Sequence, residues 1–413
     1  MLKKIGIITF VDLVVKGISF LIIPFYLFIM PKVEFGEFGF YYITLTQISL
    51  FLSLSLYISL IKVYNTKPKK INNIQLISNN LIFISSWLSI VIIIFIIFEN
   101  SLISFITNFF GSSQHIKEKF YSSLFIIILG VLSLFIYAIL IARNRVYEVA
   151  LYIFLKFILT TIFAILFLTF EFKNFDTVLN RMIGIILGEI LLIIIFVKFV
   201  ILKYINFKFD KKSFVEQFMI SAPLIPAGIF GLVNVIIDRK FILEFHGLAD
   251  LASYHLAMQA LMPIQSVMGA VQVTFAPYLF SINDKAKVFS ETLKIMKWSF
   301  LFMILGVIFI IITVKILIYL KIINIKYEDV PLIILISSLG AMGIALNQLC
   351  NNIFIHLNKS IYQLIASTFT LIIFISLNYL LIKNYSNIGA ASALSISNVL
   401  GLLLALHFLT KMK

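Results

Sequence analysis

Apolar stretches follow one another along this chain with only short polar connections between them, and each stretch is long enough to cross a bilayer. A hydrocarbon core about 30 Å thick needs roughly 20 apolar residues per helix. Stretches of that kind lie at about 5–29, 38–64, 76–98, 122–142, 146–170, 182–202, 217–237, 251–280, 295–320, 331–355, 362–382 and 387–409. The pattern predicts an all-α polytopic membrane protein with twelve crossings. The β-branched runs at 90–97 and 308–318 would favour strands in water. In lipid, however, each span must satisfy its own backbone, and helices do so. The 251–280 segment, with Pro263 and Pro277, is the least regular.

The longest basic connection, Lys198 through Glu216, follows the sixth span and divides the chain into two six-helix lobes, 1–204 and 205–413. A faint internal echo points to duplication. Phe35-Gly36 with Gly39 and Tyr41-Tyr42 after the first span is matched by Phe245-His246-Gly247 with Ala252 and Tyr254 after the seventh. Pro24 in the first span, and Pro223 with Pro226 in the seventh, would bend equivalent helices, because proline removes an intrahelical donor. Such repeats are common among secondary transporters, whose halves rock about a central site.

Composition narrows the reading further. Of 413 residues, 62% are hydrophobic and 12% charged, against roughly 25% charged in soluble proteins. The short connections leave no room for a nucleotide-binding, kinase or periplasmic catalytic domain. The start, Met1-Leu2-Lys3-Lys4, runs into apolar sequence without an Ala-x-Ala cleavage signature and reads as the first span rather than a removed signal.

The net charge of +15 is unevenly placed. With both termini in the cytoplasm, the inner side gathers Lys62, Lys67, Lys69, Lys70, Arg143, Arg145, Lys203, Lys208, Lys285, Lys287 and Lys359, among others. The outer side carries Glu34, Glu37, Glu118, Glu171, Asp176, Asp238, Glu244, Asp250, Glu328 and Asp329. This is the positive-inside pattern, suited to contact with anionic lipid rather than nucleic acid. Cys350 is the single cysteine and the five histidines are scattered, so no disulfide, metal or other cofactor is expected.

Charges inside the spans are the candidate chemistry. Asp12 and Lys16 lie four apart on one helical face, where they can neutralise each other; both should avoid lipid. Lys156 has no acid one turn away and should meet something anionic from elsewhere, a substrate or an acid on another helix. Glu189 follows Gly184 and Gly188, which permit close helix approach. It can pair with Lys156, carry a coupling proton or contact a sugar hydroxyl. Asp238-Arg239-Lys240 can anchor at the interface, or Arg239 can offer its planar fork to phosphate. In the second half Lys315 is the deeply placed charge. Gln259, Gln265 and Gln272, with Asn347, Gln348, Asn351, Asn352 and Asn358, suit interhelical hydrogen bonds or a polar lining.

Pro223-Leu224-Ile225-Pro226, Asn234, Asp238-Arg239, Gly247 and Tyr254-His255-Leu256-Ala257 resemble the seventh-helix region of bacterial polysaccharide flippases. These belong to the multidrug/oligosaccharidyl-lipid/polysaccharide (MOP) exporter superfamily. Lys3-Lys4-Ile5 with Pro24 and Tyr26, then Glu34-Phe35-Gly36-Glu37-Phe38-Gly39, resemble that family's first helix and following turn. Ile388-Gly389-Ala390-Ala391-Ser392-Ala393 is similar to the start of its last core helix. The resemblance implies a MATE-like fold. It also implies translocation of undecaprenyl-pyrophosphate-linked oligosaccharide repeat units, for O-antigen or a related polysaccharide, across the bacterial inner membrane. On this chain it assigns Lys16, Lys156, Arg239 and Lys240 to a cationic cavity, with Asp12, Glu189 and Asp238 as the charge network. A surface-polysaccharide polymerase and its chain-length machinery are the implied protein partners; a monomer is expected because both lobes are on one chain. The rivals are a cation-coupled multidrug exporter of the same fold, which the two interior lysines oppose, and a membrane glycan polymerase, which would want a sizeable outer loop. A scaffold needing no buried charge is the remaining alternative.

Overall fold

The computed structural model describes residues 2–66, 73–111, 114–170, 175–198, 209–280, 282, 284–357 and 359–412. Lys67, Lys69, Lys70, Glu171, Lys203, Lys208 and Asn358, and the lobe boundary expected at 204/205, lie outside them. The described residues are helical throughout: α1 (Leu2–Ile29), α2 (Lys32–Leu52), α3 (Leu56–Thr66), α4 (Asn73–Ile97), α5 (Glu99–Phe110), α6 (Ile116–Ala142), α7 (Val146–Thr169) and α8 (Thr177–Phe196). They continue as α9 (Lys211–Ser221), α10 (Ile225–His246), α11 (Leu248–Phe280), α12 (Lys285–Tyr319), α13 (Val330–His356) and α14 (Ser360–Thr410). Eight helices among the described residues are long and apolar enough to cross a membrane, or nine if α2 and α3, bent by 51°, form one broken span.

Several boundaries depart from the sequence reading, for local reasons. The stretch expected as one helix over 38–64 breaks at Leu54 and Ser55, both at positive φ. The serine hydroxyls there turn to their own backbone, Ser53 Oγ donating to the Leu50 carbonyl and Ser59 Oγ to that of Leu56. Trp87 Nε1 of α4 then donates to the Leu52 carbonyl freed by the break (3.1 Å). The expected span 217–237 is α9, a 3-10 turn at Ala222–Leu224 and α10, running on to His246. Residues 99–110, expected as connection, form α5, which ends at Gly111 in the left-handed conformation (φ 68°). The last two expected spans are the arms of α14, which kinks at Ser386 (φ 47°, ψ −127°).

The chain forms two compact units, Met1–Gly36 with Ile237–Lys413, and Glu37–Ile236. They are called here the first and second unit. In the second, α7 packs along α8 and α6 against α8 and α3. Phe40 and Tyr41 of α2 stack on Phe109 and Phe110 of α5. In the first, α13 packs on α14, α11 and α12, and α1 lies along α11. The apolar surface follows helical periodicity. Leu301, Leu305, Ile308, Ile312 and Ile316 form an exposed stripe on α12, while Met303, Val307, Ile310 and Val314 are buried. An exposed stripe this apolar suits lipid.

Candidate functional site

In the second unit, side chains from α2, the first turn of α6 and the N-cap of α8 meet around one fully buried lysine. Lys119, in the first turn of α6, has no exposed side-chain surface. Its Nζ lies 2.6 Å from Glu37 Oε1 on α2 and 2.5 Å from Asp176 Oδ2. Asp176 also caps α8, accepting from the Leu179 amide (2.9 Å). Two carboxylates against one ammonium leave a formal excess of negative charge. The positive ends of α6 and α8 offset it. One turn into α8, the Arg181 guanidinium lies 3.8 Å from the Phe38 ring centroid, a cation–π contact.

Deeper in the same unit lies a second polar cluster. Lys156 Nζ of α7 donates to Glu189 Oε1 of α8 (2.7 Å) and to Ser133 Oγ of α6 (2.8 Å). Tyr152 Oη, one turn before Lys156, lies 2.5 Å from Ser133 Oγ and donates to the Ser133 carbonyl (3.0 Å). The glycines make this possible. A Cβ on Gly184 would sit 2.5 Å from the Phe163 carbonyl, and one on Gly188 2.7 Å from the Thr160 backbone. Only bare backbone lets α8 approach α7 closely enough for Glu189 to reach Lys156. Glu189 is 9% exposed, whereas the Lys156 side chain keeps 36%. The partner that Lys156 lacks on its own helix is thus an acid from another.

The remaining sequence candidates belong to the first unit. Lys16 Nζ and Asp12 Oδ2 pair at 2.9 Å along α1, each side chain about one-third exposed (37% and 34%). Asp238 and Arg239 are buried near the C-terminal half of α10. Arg239 Nη1 donates to Asp238 Oδ1 (3.1 Å), and Tyr254 Oη of α11 donates to Asp238 Oδ2 (2.6 Å). The guanidinium lies 5.6 Å from the Tyr254 ring centroid. Lys240 pairs with Glu244 one turn on, at 3.2 Å. The amides make interhelical bonds: Gln272 Nε2 donates to the Gln348 carbonyl (2.8 Å), and Asn352 Nδ2 to Gln272 Oε1 (3.3 Å). Gln265, Gln348 and Ser338 share a cavity of about 160 Å³ with Met268, Met303 and Met342. Lys315 is exposed near the end of α12.

The structure therefore brings together Lys156 with Glu189, Asp12 with Lys16, and Asp238 with Arg239. Lys119, absent from the sequence candidates, is the most deeply buried charge among the described residues. Its sequence neighbours, Lys117 and Glu118, give it the look of a solvated helix start.

Solved transporters share this fold. Lipid II flippase MurJ, in an inward closed conformation, superposes with a TM-score of 0.74 at 18% identity, over 98% of this chain and 87% of that one. An inward-facing multidrug resistance MATE family transporter of the MOP superfamily gives 0.73 at 11% identity, over 99% and 93%. A MOP superfamily transporter from Pyrococcus furiosus gives 0.65 at 14% identity, over 99% and 96%. No curated protein matches the chain by sequence. The fold is thus that of MATE- and MurJ-type polytopic transporters. The sequence profile described as "Polysaccharide biosynthesis protein" matches residues 1–283, more than half of the chain, and the chain belongs to that family.

Proposed function

We propose that this protein is a flippase, not an enzyme, moving undecaprenyl-pyrophosphate-linked oligosaccharide repeat units across the bacterial inner membrane by alternating access. The observation that carries this reading is the Lys156–Glu189–Ser133 cluster, set among apolar spans of a polysaccharide biosynthesis family member. A pyrophosphate and a glycan must cross oil while the polyprenyl tail can stay in lipid. An ammonium held among hydroxyls lowers the cost of desolvating the anion. The MurJ-like fold supports the same reading, since the protein it matches is named for flipping a lipid-linked substrate.

In this reading Lys16, Lys156, Arg239 and Lys240 provide positive charge for the headgroup. Asp12, Glu189 and Asp238 hold those cations when no substrate is bound. The twelve crossings are counted as α1, α2 with α3, α4, α6, α7 and α8, then α10 to α13 and the two arms of α14, in two six-helix lobes with both termini cytoplasmic. The working unit is a monomer that delivers repeat units to a surface-polysaccharide polymerase and its chain-length machinery. Deleting the gene, in a strain without a redundant flippase, should deplete surface glycan and leave lipid-linked repeat units facing the cytoplasm. Undiminished surface glycan, together with new drug susceptibility, would instead establish the multidrug exporter.

A further inference from the structure

The two units contain the same helix–helix contact, and only one carries charge within it. In the second unit, α7 and α8 meet where Gly188 lies against Thr160, and Tyr152 packs edge-on against Phe196 at 4.9 Å. In the first unit, the two arms of α14 meet where Gly401 lies against Thr370, and Tyr362 packs against Phe408 at 4.9 Å. The spacing from tyrosine to threonine is the same in both. Lys156 lies midway between Tyr152 and Thr160, as Ala366 does between Tyr362 and Thr370. Glu189 follows Gly188, as Leu402 follows Gly401.

A similar contact is therefore built twice, with Lys156 and Glu189 in one copy where the other has Ala366 and Leu402. The apolar copy demonstrates that helix packing does not require the ions. Placing an ion pair there costs desolvation that alanine and leucine avoid, so the charges answer another need. Lys156 keeps 36% of its side chain exposed, while its acid partner is almost covered. Of the pair, the lysine is the member whose side chain reaches the surface of the unit.

We infer that Glu189 is an internal stand-in for a phosphate: it occupies Lys156 in the empty protein and competes with an incoming phosphate or pyrophosphate for the same ammonium. Ser133 and Tyr152 are positioning residues. Their mutual hydrogen bond, and the Ser133 bond to Lys156, hold the ammonium while its anion changes. This inference rests on the flippase reading for its ligand, but its test is separable.

The probe is farnesyl pyrophosphate, titrated against purified full-length protein in nanodiscs. Glu189→Gln removes the competing anion and keeps the side chain's shape, so it should bind the probe at least ten-fold tighter than wild type. The double variant K156A/E189L reproduces the chemistry of Ala366 and Leu402. It should melt within a few degrees of wild type and bind at least ten-fold more weakly. Ser133→Ala should weaken binding in the Glu189→Gln background, while farnesol, lacking the anion, should be insensitive to every substitution. Equal or weaker probe binding by Glu189→Gln at unchanged melting temperature overturns the inference. If that variant folds poorly, Glu189→Asp, a shorter competitor, must still bind more tightly than wild type, and its failure to do so overturns the inference equally. Glycan export is scored separately. Glu189-controlled binding without export rejects the flippase and keeps the anion site; export with Glu189-independent binding does the reverse.

Discussion

Lys119 and Lys16 are both lysines paired with acids, yet their surroundings give the two pairs different weights. Replacing Lys119 by Met would leave Glu37 and Asp176 buried with no cation between them, and breaking a buried pair in this way costs about 3–5 kcal/mol. Lys119→Met should therefore lower the melting temperature of detergent-purified protein sharply, and Lys119→Met with Glu37→Gln should recover part of the loss. An unchanged melting temperature would mean that the triad is not holding the helix ends. The Asp12–Lys16 pair is one-third exposed and lies on one helix, so Lys16→Met should change stability by less than about 1 kcal/mol. Loss of glycan export at normal abundance would place Lys16 in transport. For Arg239, substitution by Lys keeps the charge but loses the planar fork that reaches Asp238. Partial loss of export is expected, with Arg239→Ala worse; a parallel fall in protein abundance would assign the residue to folding. Lys156 and Glu189 were legible because a charge deep in an apolar run is conspicuous by itself. Lys119 was not, since it begins a helix beside other charges and its bond to Glu37 spans 82 residues.

At the scale of elements, the hydropathy pattern located the long spans but not their interruptions. A window of apolar residues looks the same whether a helix runs through it or bends, and the break at Leu54 and Ser55 contains neither Pro nor Gly. Its stabilising partner, Trp87, comes from another helix, which no local pattern reveals. Trp87→Phe keeps the ring and removes the donor, so the Leu52 carbonyl loses its bond at a cost of about 1 kcal/mol; a thermal melt reads this directly. The close approach of α7 and α8 was partly legible, because Gly184 and Gly188 stand one turn apart ahead of Glu189. Their counterpart, Gly401 against Thr370, has no charge beside it in sequence to make the contact conspicuous. Gly188→Leu should push α8 off α7 and separate Glu189 from Lys156, lowering both stability and export. Gly401→Leu should disturb the arms of α14 equally while leaving the charged cluster intact. Comparing export per folded molecule in the two variants separates packing from ion pairing, and equal losses would argue against a special role for the pair.

For the whole molecule, the arithmetic of crossings connects fold to orientation. Among the described residues, eight helices are long and apolar enough to cross a membrane, or nine with the bent pair. The proposed twelve need α14 resolved at Ser386 into two arms and α10 and α11 admitted as crossings. Under that proposal an even count returns the C-terminus to the side of the N-terminus, and the excess of lysine in alternate connections is the argument for placing that side in the cytoplasm. The helix α12 offers a clean test, because its 35 residues span about 50 Å at 1.5 Å per residue and both flanks carry exposed side chains. Cys350 is buried, so a Cys350→Ala background suits single-cysteine labelling. A cysteine at Glu328 should react with a membrane-impermeant maleimide in intact spheroplasts, and one at Lys287 only after permeabilisation. Labelling of both from the same side would remove α12 as a crossing and break the even count. The reverse order would turn the whole molecule over, placing the Glu37–Lys119–Asp176 end of the second unit at the cytoplasmic face, where a headgroup made in the cytoplasm would have to enter past the most tightly closed charges in the protein.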